Sequence, residues 1–209
     1  MVEIDTNLAD YINKNIIPQY AHFDHAHNLD HVQTVIKTSL ELAAHYQVNI
    51  NMVFTIAAYH DLGIAIDRDT HHIESGKILL ADNNLKKWFS EEEIGIMKEA
   101  VEDHRASSKT APRSIYGKIV AEADRDISTH KILLRTIQFG LDKYPNESKE
   151  FHYQRFLQHL NEKYAEGGYL HLLIPGSPNE EPLARLRAVI KDTSLLRKMF
   201  EEIYSEELS

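Results

Sequence analysis

Glycine and proline, the usual punctuation of strands and turns, are scarce in this chain, with 8 and 6 copies in 209 residues against roughly 12% in ordinary usage. A chain with so few breakers favours helices, and the apolar spacing agrees. Ile4, Leu8, Ile12 and Ile16 recur at four-residue intervals before Pro18 and predict a first helix over 2–16. From Asp30, a possible N-cap, Val32, Val35, Ile36, Leu40, Leu42 and Ala43 predict a helix to about Tyr46. Residues 50–60, INMVFTIAAYH, are apolar nearly all round, which marks a buried central helix with a stop near Gly63.

HHIESGKILLAD predicts another helix, and SEEEIGIMKEAVEDH opens with Ser90 and Glu93 in capping-box spacing before a helix ending near His104. In SIYGKIVAEADRDIS, Ile115, Ile119, Val120 and Ala123 share a face, so Asp124 falls late in a buried helix. Two or more amphipathic helices follow from about 129, with 167–182 as the longest irregular piece. The fold expected is an all-α, single-domain bundle with no obvious domain boundary.

Composition narrows the chemistry. The content of 43% hydrophobic and 26% charged residues excludes wholesale disorder. With 23 Lys and Arg against 32 Asp and Glu, the formal charge of −9 makes long nucleic acid an improbable partner, since phosphate tracts demand basic surface. No stretch approaches the roughly 20 apolar residues of a membrane span, and the acidic start MVEIDTNLADYINKNIIPQY does not resemble a signal peptide. A cytoplasmic protein with no membrane partner is expected; nothing indicates its oligomeric state. The absence of cysteine removes disulfides, thiolate metal sites and Cys nucleophiles. Histidine, by contrast, appears 13 times, and imidazole is the commonest protein metal ligand.

His60 and Asp61 close the buried helix in AAYHDLG. A carboxylate there costs several kcal/mol unless it is paired or bound to a cation. Four other segments offer hard ligands where apolar residues would be expected: His31 in LDHVQTV, His72 in HHIESG, His104 in VEDHR and Asp124 in AEADRD. Four imidazoles and two carboxylates without thiolate suit Mn, Fe, Co, Ni or Zn better than Ca or Mg. Adjacent His and Asp cannot face one way on a regular helix, but at its frayed end both can lean toward one ion. His71 competes with His72 but lacks the four-residue spacing to Gly76. His45, His130, His152, His159 and His171 read as structural, and His22 and His25 as solvent-facing.

The order His31, His60–Asp61, Asp124 resembles the H…HD…D signature of the HD-domain superfamily of metal-dependent phosphohydrolases, over roughly residues 20–128. DHAHNLDHVQTV is similar to the D-x-x-H-G-x-D-H-x-x-R-V entry helix of one bacterial branch, with Asn28 in place of the glycine and Thr34 in place of the arginine. The resemblance implies an HD-type helical bundle, with its core over about 20–128 and a helical C-terminal extension over about 129–209 of the same single domain. It places His72 and His104 at a second metal position, one or two ions in all, with Asp61 bridging. It implies metal-activated water attacking a small phosphate ester or anhydride, a nucleotide first among them. His27 stands four residues before His31 on one helix face, and Arg105 and Arg125 follow two of the ligands, so these three are candidate substrate-contacting groups beside Asp61. Two other classes share the ligand set: an HD-type di-iron oxygenase and a non-catalytic nucleotide sensor. P-loop, Rossmann, zincin and hydrolase-elbow motifs are absent from the sequence.

Overall fold

The computed structural model describes residues 3–23, 27–105 and 110–208. His25, and residues 106–109 of the loop between His104 and Arg113, lie outside the described residues. Every regular element among those described is helical. The chain forms two compact units, Met1–Arg125 and Asp126–Ser209.

In the first unit the helices are α1 (Thr6–Asn15), α2 (Leu29–Ala43), α3 (Ile50–Tyr59), α4 (His71–Ala81), α5 (Glu91–Glu102) and α6 (Ile115–Ala123). Helix α3 packs against α2, α5 and α6, which is why its residues Met52 to Tyr59 are all buried. Val32 and Val35 of α2, Ile94 and Met97 of α5, and Ile119 and Val120 of α6 complete that core.

Local chemistry sets the boundaries. Asp5 caps α1 by accepting from the Leu8 amide, and Pro18 does not end the helical path there but opens a 3₁₀ turn, Ile17–His22. The cap of α2 is Asn28, whose side chain accepts from the His31 amide at 3.1 Å, and Asp30 sits in the first turn instead. The Ser90–Glu93 capping box of α5 is formed in both directions. Gly63 is not a helix stop that needs positive φ. Its requirement is space, because a Cβ would lie 2.2 Å from the His71 carbonyl oxygen and 2.6 Å from the Ser75 amide nitrogen. The Gly63 amide also donates to Ser75 Oγ at 2.8 Å, so the start of α4 seats directly on the turn that follows the His60–Asp61 doublet.

The second unit contains α7 (Thr129–Lys143), α8 (Lys149–Lys163), α9 (Glu180–Lys191) and α10 (Thr193–Glu207). It has its own core, in which Leu133, Phe156, Leu160, Leu186 and Phe200 are fully buried. No helix of the described residues is long and apolar enough to cross a membrane.

Candidate metal centre

The chemistry-bearing side chains gather at helix ends within the first unit. His60 and Asp124 are the C-caps of α3 and α6, and His104 follows the C-cap of α5. His31 lies in the first turn of α2, and His71 opens α4. Three helix C-termini, each with partial negative charge, therefore point at one place, an arrangement that favours a cation.

Two sets of donor atoms assemble there. In the first, comprising His31, His60, Asp61 and Asp124, the atoms lie within 4.8 Å of one another. His31 Nε2 stands 3.2 Å from His60 Nε2, 3.2 Å from Asp124 Oδ1 and 3.4 Å from Asp61 Oδ2. The second set is Asp61, His71 and His104. Asp61 Oδ1 is 3.5 Å from His71 Nε2 and 3.3 Å from His104 Nε2, and those two nitrogens are 3.2 Å apart.

The sequence reading placed His72 in the second set; the structure brings His71 there instead. His72 is the second residue of α4, beside His71 on the helix but outside both donor sets, and its Nδ1 is buried without a hydrogen-bond partner among the described residues. The four-residue spacing to Gly76 misled because the packing of α4 on Gly63 decides which residue of its first turn faces Asp61.

The imidazoles are preset as ligands. His60 Nδ1–H donates to the Ala57 carbonyl at 2.8 Å, His71 Nδ1–H to Arg68 at 2.8 Å and His104 Nδ1–H to Val101 at 2.6 Å. Each bond to a carbonyl acceptor places the proton on Nδ1 and leaves the Nε2 lone pair facing the cluster. Asp61 Oδ2, also buried, accepts no hydrogen bond from the described residues. Metal–ligand bonds of about 2.1 Å hold neighbouring donors roughly 3 to 3.4 Å apart, close to the separations found here, so these residues fit a metal ion.

Electrostatics agrees. Burial opposes charge on His60, but Asp61 and then Asp124 outweigh it and raise its pKa well above the ordinary imidazole range. Burial likewise works against ionised Asp61, yet His60, His104 and His31 hold it well below the usual carboxylate range. Asp124 is lowered against its own burial by His31 and His60. His71 shifts the other way, its pKa lowered chiefly by burial. Without a cation the carboxylates thus favour the protonated form of His60, and a bound ion would take the place of that proton.

The candidate substrate groups are more dispersed. The His27 ring is edge-on to His31, with centroids 5.8 Å apart. Arg105 donates to the Asp69 carbonyl at 2.6 Å. Arg125 pairs at 3.0 Å with the fully buried Glu122.

The model of the HD-domain family matches residues 28–127, and that segment is an HD domain. No curated protein and no solved structure matches it. The matched domain, together with a His/Asp cluster able to hold a metal, supports a metal-dependent phosphohydrolase.

Proposed function

We propose that the protein hydrolyses a phosphate ester or anhydride of a small molecule, a nucleotide foremost, using one or two divalent ions of Mn, Fe, Co, Ni or Zn. The observation that carries this reading is Asp61, whose two carboxylate oxygens face separate histidine sets inside an HD domain. When bound, such ions acidify a water molecule to near-neutral pKa and neutralise charge on phosphoryl oxygens.

The chain's own residues do the rest. His31, His60, Asp61 and Asp124 hold one position, and Asp61 with His71 and His104 holds the other. His27, beside His31, is the group placed to meet the substrate. Arg105 and Arg125 flank the centre as anchored cations, each fixed by a neighbouring oxygen and so limited in reach. An acidic chain needs no basic tract to bind one phosphate group when the ions supply the positive charge.

The test is release of phosphate from nucleoside mono-, di- and triphosphates by protein loaded in turn with Mn, Co, Ni, Zn or Mg. Turnover that disappears with Asp61→Ala supports the reading. Absence of release with every metal, alongside oxygen consumption by iron-loaded protein with an organic substrate, would replace it with an oxygenase.

A further inference from the structure

Successive side chains on an α-helix project about 100° apart, so His60 and Asp61 can address one ion only if the helix is broken between them. The break is present: His60 keeps helical dihedrals (φ −54°, ψ −36°), whereas Asp61 departs to φ −111°, ψ 4°. In an unbroken helix the Asp61 amide would bond to the Ala57 carbonyl, and the Ala58 carbonyl would accept from Leu62. Here the Ala57 carbonyl receives the Nδ1–H of His60.

The other two groups are served by a residue from elsewhere in the chain. Tyr20, in the 3₁₀ turn Ile17–His22 and ahead of the family-matched segment, is fully buried. Its hydroxyl donates to the Ala58 carbonyl at 3.0 Å and accepts from the Asp61 amide at 3.2 Å. Its ring lies against His60, with centroids 6.3 Å apart and planes 29° from parallel.

We propose that the Tyr20 hydroxyl is a positioning group for the metal centre: by serving the Ala58 carbonyl and the Asp61 amide at once, it holds the backbone break that lets Asp61 face His60 on one side and His104 on the other. The proposal rests on the metal-centre reading above. It concerns a residue that touches neither an ion nor the substrate and acts through Asp61. Removing the hydroxyl while keeping the ring frees the Asp61 amide to return toward helical geometry, which would swing the carboxylate away from one histidine set.

The test compares Tyr20→Phe with Tyr59→Phe, which also loses a buried phenol hydrogen bond but one directed to Asp82 rather than to the doublet. Mn(II) binding is measured by calorimetry, coupling between bound ions by electron paramagnetic resonance, and metal-free Tm by calorimetric scanning. Tyr20→Phe is expected to weaken Mn(II) binding 10- to 100-fold, roughly the effect of losing an outer partner of a metal ligand, and to diminish any Mn–Mn coupling. Tyr59→Phe is expected to lower Tm while leaving Mn(II) affinity within about twofold of wild type, less than any outer-partner loss. If Tyr20→Phe lowers Tm but binds Mn(II) as wild type does, the hydroxyl is a structural bond only and the proposal falls. Should Tyr20→Phe fail to fold, 4-fluorophenylalanine at position 20 fills the space of the hydroxyl without a proton to donate, and unchanged Mn(II) affinity in that protein overturns the proposal equally. Wild-type protein that binds no Mn(II), Co(II) or Zn(II) overturns the metal-centre reading itself and this proposal with it, a result distinct from a failure confined to the Tyr20 variants.

Discussion

Asp61 meets His104 through Oδ1, at 3.3 Å from Nε2, and leaves Oδ2 to the His31 side of the cluster. One carboxylate thus ties the end of α3 to the end of α5, and it belongs to both donor sets. Asp61→Ala should therefore abolish retention of all bound metal, a loss of more than about 100-fold in affinity, beyond the effect of losing an outer partner. Elemental analysis of the purified variant checks this; metal content equal to wild type would sink the assignment.

His71 and His72 are neighbours with different expected consequences. His71→Ala should remove one ion from a two-ion centre, or weaken a single ion little, whereas His72→Ala should leave stoichiometry at the wild-type value. Titration with Co(II), followed by its visible absorption, separates the two. Equal loss from both variants would mean that the first turn of α4 can rotate to offer either imidazole.

Arg125 and Glu122 form a pair in which the carboxylate is fully buried and the guanidinium nearly so. Removing one partner of a buried pair costs about 3–5 kcal/mol. Arg125→Ala is thus expected to lower Tm by several degrees, and adding Glu122→Gln should restore part of it. Arg105 bonds to a backbone carbonyl near the surface, so Arg105→Ala should keep Tm and raise KM for a phosphate substrate. A variant at 105 with normal KM would assign that arginine to loop anchoring alone.

Asp82 Oδ2 accepts from Tyr11 at 2.5 Å and from Tyr59 at 2.6 Å. Burial would raise the Asp82 pKa, but the two phenols and the Asn84 amide lower it below the usual carboxylate value. The folded pKa lies below the unfolded one, so the stabilisation is fully present above the ordinary value of about 4. It is lost as pH falls through the folded value. Asp82→Asn should cost about 1–2 kcal/mol at pH 7, and the gap between variant and wild type should narrow toward pH 3. Thermal melts across that range decide it; a gap that widens on acidification would contradict the assignment.

Much of the centre was legible because its ligands interrupt apolar helix patterns. His60 and Asp61 stand out at the end of a run buried on every side, and the capping box at Ser90 and Glu93 announces where α5 begins. What periodicity could not supply was the contact between segments far apart in sequence. The choice of His71 depends on how closely α4 approaches Gly63, a relation between elements that no local spacing encodes. Tyr20 was hidden for a similar reason: in sequence it is one aromatic beside Pro18, and its bonds to residues about forty positions later exist only once α3 is packed. Asn28, a departure from the family pattern, proves to be the cap that fixes the amide of His31, a role that its residue type alone suggests.

The placement of every ligand at a helix end, with positions spread from 31 to 124, means that no isolated fragment of the first unit carries a complete set of donors. A bound ion would act as a clasp fastened after the helices have docked, absent from early folding and resisting separation late in unfolding. Chelation should consequently accelerate unfolding far more than it slows refolding, because interactions missing from the folding transition state register almost entirely in the rate of escape from the native state.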